Sequence, residues 1–539
     1  MQDGAKKKWP RISRQGVICL LIMTGLYVLG ISTLLRAHVW YKDDIGRVVE
    51  GYLRWEQSSR YISNFLASLI NAGTSLTDQA PLQQIIAAFF MAASSMILAR
   101  TLGISRKKCR KEGSAPAGPA SGVNSIEDSA KDSAEDSAEE NISTEKDWNL
   151  HGAIVLISAL ALGLNPYFLE CFSFQFDSSF MALSVLAGVC PFVIGVHRRK
   201  LFLLTALIST LIVLMTYQAS SGIFPMLVLF HALVLWMDRR MQGREALVFV
   251  GQSAAAYLVG VVLFRFVFMH NSEGYNSGGM IPLARLFPGL AANYKKVVSW
   301  ILSDFTPVWL VLFGAVLVLF FVTVVWTTQR SRAATLAAAL AVCAMSFLLS
   351  NGILIMLESL PAPRRSSYGI FVALTCMMVC IADRDRIWLG RVACIAVVWV
   401  FVAFSFTYGN ALSENDRVID SRLSLVAQEL DNLDVMQTDM PKYVRLAGTI
   451  GRSETLERLK GIYPVLGRML PSRRAGYMWN IYRFIHCYGL ENLYCDDVFV
   501  PDFDEEAFLA QTADLPVLAE TANYSISGDG EKIVVRMRK

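Results

Sequence analysis

Gly16-Val17-Ile18-Cys19-Leu20-Leu21-Ile22-Met23-Thr24-Gly25-Leu26-Tyr27-Val28-Leu29-Gly30-Ile31-Ser32-Thr33-Leu34-Leu35 carries no charged side chain, and its reading decides the class of fold. About 20 helical residues cross a hydrocarbon core about 30 Å thick. Lys6-Lys7-Lys8, Arg11 and Arg14 precede the run, as in the basic region of a signal peptide. The run is too long for a signal core and has no clear small-residue cleavage site after it, so it reads as a retained first span. Further apolar runs fall near 83–103, 151–167, 179–196, 201–217, 222–237, 246–268, 306–327, 333–353, 367–382 and 392–409. Together they predict an α-helical polytopic membrane protein with about 11 transmembrane helices.

Composition agrees. Hydrophobic residues make up 54% of the 539 and charged residues 18%, against about a quarter charged in ordinary soluble domains. The net charge of +5 is small, and no nucleic-acid partner is expected. Its distribution says more. With the N-terminus cytoplasmic, Arg106-Lys107-Lys108, Arg198-Arg199-Lys200, Arg239-Arg240, Arg330 with Arg332, and Arg384 with Arg386 all fall on inside loops, as the positive-inside rule requires. An odd number of spans then places the C-terminal region outside, in the periplasm if the membrane is a bacterial inner membrane.

The chain divides accordingly. Residues 1–103 hold the first two spans and an outer loop, 36–82. Residues 104–148 are polar and nearly repetitive (Asp128-Ser129-Ala130, Asp132-Ser133-Ala134, Asp136-Ser137-Ala138), a composition that cannot repay the entropy of ordering. They read as a disordered cytoplasmic linker, with a phosphoregulated partner site as the functional alternative. A membrane domain follows over 149–409, and 410–539 is expected to form a small mixed α/β domain outside. There Ser421–Leu433 reads as an amphipathic helix and Lys532–Arg536 as a strand. Most of the ten cysteines lie in apolar runs. Cys487 and Cys495 lie in the outer region, where a disulfide and two free thiols are both open. No metal-ligand spacing occurs, and no cofactor is expected.

Directly after the first run stands Tyr41-Lys42-Asp43-Asp44-Ile45-Gly46-Arg47. Asp43 and Asp44 allow two readings. They cap a helix N-terminus, with Asp43 and Arg47 as an i, i+4 pair, or one is a general base that activates a hydroxyl. Val48, Val49, Tyr52, Leu53 and Trp55, interleaved with Arg47, Glu50, Arg54 and Arg60, suit a helix lying on the membrane surface. A second cluster, Asn165-Pro166-Tyr167-Phe168-Leu169-Glu170 to Asp177, would put Glu170 and Asp177 on one face of a continuous helix. Tyr217-Gln218 adds a hydroxyl and an amide at the end of a span. Arg364-Arg365 faces away from the basic side, which fits either phosphate binding or snorkelling to headgroups.

In this order and on these loops, Asp43-Asp44 with Arg47, Gly51 and Trp55, then Asn165 to Glu170 with Asp177, Tyr217-Gln218 and Arg364-Arg365 resemble the serotype-converting O-antigen glucosyltransferases of Gram-negative bacteria and their phages, the Gtr-type membrane family. The 104–148 segment departs from the pattern and looks like an insertion. The resemblance implies a GT-C-like enzyme that takes glucose from undecaprenyl phosphate glucose and adds it to a lipid-linked O-antigen sugar. It implies Asp44 or Asp43 as the base, Arg364 and Arg365 on the donor phosphate, and Glu170, Asp177 and Gln218 around the sugar, with Arg47 beside the aspartates. The outer C-terminal domain is expected to help hold the acceptor glycan. Two other classes stay open. A transporter or flippase would show intramembrane charges and inverted repeats, whereas few charges lie in the runs and no repeat is evident. A membrane-anchored scaffold would tolerate loss of both aspartates.

Overall fold

A computed structural model of the chain describes residues 13–103, 150–269, 279–385, 388–500 and 503–538. The 104–148 linker, Lys6-Lys7-Lys8, Arg11, Arg106-Lys107-Lys108 and Arg386 lie outside the described residues. Elsewhere the chain is mostly helical, with a small sheet near its C-terminus.

Among the described residues, six helices are long and apolar enough to cross a membrane: Leu82–Leu102, Gln218–Met237, Gly243–Phe268, Pro307–Thr327, Arg332–Leu349 and Leu389–Asp431. Leu150–Leu164 and Pro166–Phe172, bent by 65° to each other, make a seventh if taken as one span. The expected count of about eleven is not reached by this measure, for local reasons. The first apolar run is helical over Arg14–Gly30, breaks at Ile31 and resumes as Ser32–Ala37. Ser405 Oγ donates to the Gly30 carbonyl at 2.7 Å, and Thr33 Oγ1 to the Ser405 carbonyl at 3.3 Å, so another helix satisfies the backbone where the turn is lost. At Gly409 an added Cβ would meet Thr33 Oγ1 and lie 2.7 Å from Leu34 N; glycine is what lets the two helices touch. Arg199–Leu214 and Gly369–Arg384 have 16 residues each, about 24 Å of helix.

Burial sorts the helices. Gly369–Arg384 is buried along nearly its whole length. Val308 and Val311 of Pro307–Thr327, by contrast, are exposed, the pattern of a helix whose outer face meets lipid.

Leu389–Asp431 is 43 residues long, so the expected last span and the expected amphipathic helix are one rod with no break at residue 410. Its distal part places Ile419, Leu423, Val426 and Leu430 in a second core with Val444, Leu446, Ile526 and Ile533. That core lies on a five-stranded sheet of order β2-β1-β5-β4-β3: β1 (Lys442–Gly448), β2 (Leu493–Tyr494), β3 (Val517–Glu520), β4 (Tyr524–Gly528) and β5 (Lys532–Met537). β1 runs parallel to β2 and β5, and β4 antiparallel to β5 and β3. The Lys532–Arg536 strand is found as read. Cys487 and Cys495 are free thiols, and Cys495 Sγ donates to Asp497 Oδ1 at 3.0 Å.

Candidate active site

The loop after the first helix is not one surface helix. A short helix over Asp44–Glu50 ends at Gly51, which takes a left-handed φ of +69°. A single turn over Trp55–Ser58 and a helix over Tyr61–Ile70 follow. Arg47 and Trp55 are buried, and the Arg47 guanidinium lies 3.8 Å from the Trp55 ring centroid.

The two aspartates sit in different surroundings. Asp43 occupies the N-cap position but makes no side-chain cap bond. Its side chain is 34% exposed, and Oδ2 lies 3.7 Å from Arg47 Nη2. Asp44 is fully buried. Its Oδ2 accepts from the backbone N–H of Tyr41 at 3.2 Å and of Gln175 at 2.9 Å, which ties the first loop to the segment after Phe172. Oδ1 has no hydrogen-bond partner among the described residues. Burial, reinforced by the Asp43 charge, pushes the Asp44 carboxyl well above the usual carboxylate range, against the pull of the Gln175 N–H. Lys42, just before the pair, holds a left-handed φ of 55°, a conformation that costs a non-glycine residue about 1 kcal/mol or more.

Glu170 and Asp177 do not share a continuous helix. Asn165 Oδ1 caps a short helix by accepting the Phe168 N–H at 2.9 Å. Pro166 opens that helix and it ends at Phe172; Asp177 stands at the head of the next one, Ser178–Val189. Each carboxylate serves a different part of the site. Asp177 accepts from Trp55 Nε1 and lies 3.5 Å from Arg47 Nη2. Glu170, fully buried, accepts from Lys42 Nζ at 2.7 Å, Tyr41 Oη at 3.1 Å, Arg365 Nη1 at 3.1 Å and the Arg365 backbone N–H at 2.9 Å. The Lys42 and Arg365 cations balance its charge. Burial pulls the Lys42 ammonium down, with Glu170 opposing.

The arginine pair divides as well. Arg364 is held at Nε and Nη2 by Asp304, the latter at 3.1 Å, and Nη1 donates to the Ala362 carbonyl at 2.9 Å. Tyr167 Oη donates to the same Asp304 carboxylate at 2.8 Å. Arg365 uses Nη1 on Glu170 and stacks 4.6 Å from the Phe174 centroid. Tyr217 Oη donates to the Arg365 carbonyl at 3.1 Å, and the Arg60 guanidinium lies 5.1 Å from the Tyr217 ring centroid. Gln218 accepts from Arg60 Nε at 3.2 Å and donates to the Ser58 carbonyl at 3.0 Å.

All eight side chains singled out in the sequence therefore fall in one region, and two electrostatic halves emerge. Lys42 and Arg365 meet at Glu170, leaving that half cationic, while Arg60 lies beside Tyr217 and Gln218. Asp43, Asp44 and Asp177 gather around Arg47, leaving the other anionic. Sequence reading missed Lys42 as a participant, although it stands inside the quoted motif, and put Arg60 on a surface helix. Asp304 carried no signal, since its partner Arg364 is 60 residues away on another element.

Comparison with known proteins now bears on this geometry. The family model described as "Glucosyl transferase GtrII" matches residues 32–111 and 150–382, a range that includes every site residue named above. A protein of Salmonella phage P22, described as an "Uncharacterized 55.3 kDa protein in gtrB 5'region", is 21% identical over 483 residues, covering 86% of this chain and 88% of the other. No solved structure matches the chain significantly. With more than half of its length matched by that family model, the chain belongs to the GtrII glucosyl transferase family.

Proposed function

We propose that the protein transfers a hexose, glucose, from undecaprenyl phosphate to a lipid-linked O-antigen or similar surface glycan, at the periplasmic face of the bacterial inner membrane. The N-terminus is cytoplasmic in this reading, and the 36–82 loop and residues 410–539 are periplasmic. Membership of a glucosyl transferase family supports the reaction class, and the apolar helices support the membrane setting.

The observation that carries the mechanism is the split between the adjacent aspartates. Asp43 is half-exposed beside Arg47, while Asp44 is sealed in and spent on two backbone N–H groups. Asp43 is the base. It takes the proton as the acceptor oxygen attacks the anomeric carbon, and the bond from that carbon to the phosphate oxygen breaks. One displacement inverts the carbon. The leaving lipid phosphate gains charge, and the cationic half receives it: Arg365 and Lys42 supply donors already oriented by Glu170. Arg47 stands beside Asp43, and Asp177 keeps Arg47 in place.

The test is expression in a bacterium with a defined O-antigen and a supply of undecaprenyl phosphate glucose, followed by mass spectrometry of its lipopolysaccharide. One added hexose per repeat, lost with Asp43→Asn, is expected. An unchanged mass in the wild type, with donor and expression verified, overturns the reading.

A further inference from the structure

The Met478–Cys487 helix has two working faces. Ile481, Phe484 and Ile485 enter the second core. Trp479, Tyr482 and His486, spaced three and four apart, share another face that packs on the Asp44–Glu50 helix. The two helices meet closely. A Cβ at Gly46 would lie 3.2 Å from Trp479 Cζ3 and 2.6 Å from Tyr52 Oη, and Tyr482 Oη donates to Glu50 Oε1. The ring centroid of Phe499 lies 5.6 Å from that of Trp479 and 6.2 Å from that of Tyr482. Tyr482 in turn stands 4.4 Å from His486. Tyr52 adjoins Arg47, whose guanidinium is 5.9 Å from its ring centroid, and Arg47 pairs with Asp43.

Phe499 is 55% exposed. An aromatic ring left in that position, continuous with two others and rimmed by Glu50 and His486, has the make-up of a carbohydrate surface. Sugar rings lay their C–H faces on the negative faces of aromatic rings, while their hydroxyl groups need polar atoms at the edge. We propose that Tyr52, Trp479 and Phe499, packed with the buried Tyr482, form a stacking shelf that receives the acceptor glycan and leads its hydroxyl to Asp43. The inference rests on the transferase reading for its direction, but the shelf binds sugar whether or not transfer follows. Trp479, Tyr482 and Phe499 lie beyond residue 382, where the family match ends, so the part of the chain that meets the acceptor is separate from the part that holds the donor half.

The test uses the full chain in detergent micelles on an array of lipid-free bacterial O-polysaccharides. Wild type and Asp43→Asn are expected to retain the same glycan. Phe499→Ala should weaken retention roughly tenfold, and Phe499→Ala with Trp479→Ala should abolish it. Thermal melting of Phe499→Ala, whose ring is exposed, should match wild type. Equal retention by the double variant, or retention of no glycan by wild type, overturns the shelf. Absence of hexose transfer with glycan retention intact would instead count against the transferase reading alone.

Discussion

Lys42 Nζ lies 2.7 Å from Glu170 Oε1, joining the loop that carries the aspartates to the Pro166–Phe172 helix. Arg365 meets the same carboxylate, so one buried acid organises two cations from two distant loops.

Glu170→Gln should therefore cost stability as well as activity. The change leaves two largely buried cations without a counter-charge, a loss of about 3–5 kcal/mol. Thermal melting in detergent at neutral pH checks this, and a variant that melts with the wild type refutes it.

Replacing the adjacent aspartates one at a time should give unequal results. Asp43→Asn removes the proposed base and should lower turnover by about 10²–10⁴-fold while melting normally. In Asp44→Asn the amide oxygen still accepts the Tyr41 and Gln175 N–H groups, so this variant should retain far more activity. Hexose transfer measured on purified variants decides, and the reverse ranking would make Asp44 the base.

Asp44 also predicts a pH effect on stability. Its folded pKa is raised by burial and by Asp43. The neutral form thus stabilises the fold fully below the ordinary carboxylate value, and this contribution is lost as pH rises through the raised one. Melting of the wild type relative to Asp44→Asn should fall with rising pH over that window. A constant difference would show that the carboxyl ionises normally.

Arg364 and Arg365 should separate by phenotype. Arg364 is clamped by Asp304, so Arg364→Lys should lower the melting temperature, with strong coupling to Asp304→Asn in a double-mutant cycle. Arg365→Lys should mainly raise the KM for the proposed lipid-phosphate donor. A donor effect confined to Arg364 would exchange the two assignments.

Much of this was legible in the sequence. Uncharged runs announce helices in lipid because bare backbone cannot stand there, and the Tyr41–Arg47 stretch pointed to the region proposed as the site. Span number was less legible. The first run breaks at Ile31 where Ser405 and Thr33 supply the replacement bonds, and nothing local to residues 16–35 reveals a partner so far along the chain. Glu170 and Asp177 looked like one helical face because spacing alone does not show the end of a helix at Phe172. The Arg364–Asp304 clamp depends on two elements meeting, which no short motif encodes.

The 43-residue helix Leu389–Asp431 acts as a ruler. At about 65 Å it exceeds the hydrocarbon core by about 35 Å, and it is pinned near its middle to the Ser32–Ala37 helix through Thr33 and Ser405. The distance and the rotational phase of the five-stranded sheet relative to that contact are thereby set by counting residues in one element. Each residue added beyond Gly409 would turn the second core by about 100° and shift it by about 1.5 Å along the rod, so the position of the sheet relative to the aspartates is fixed by the residue count of a single helix.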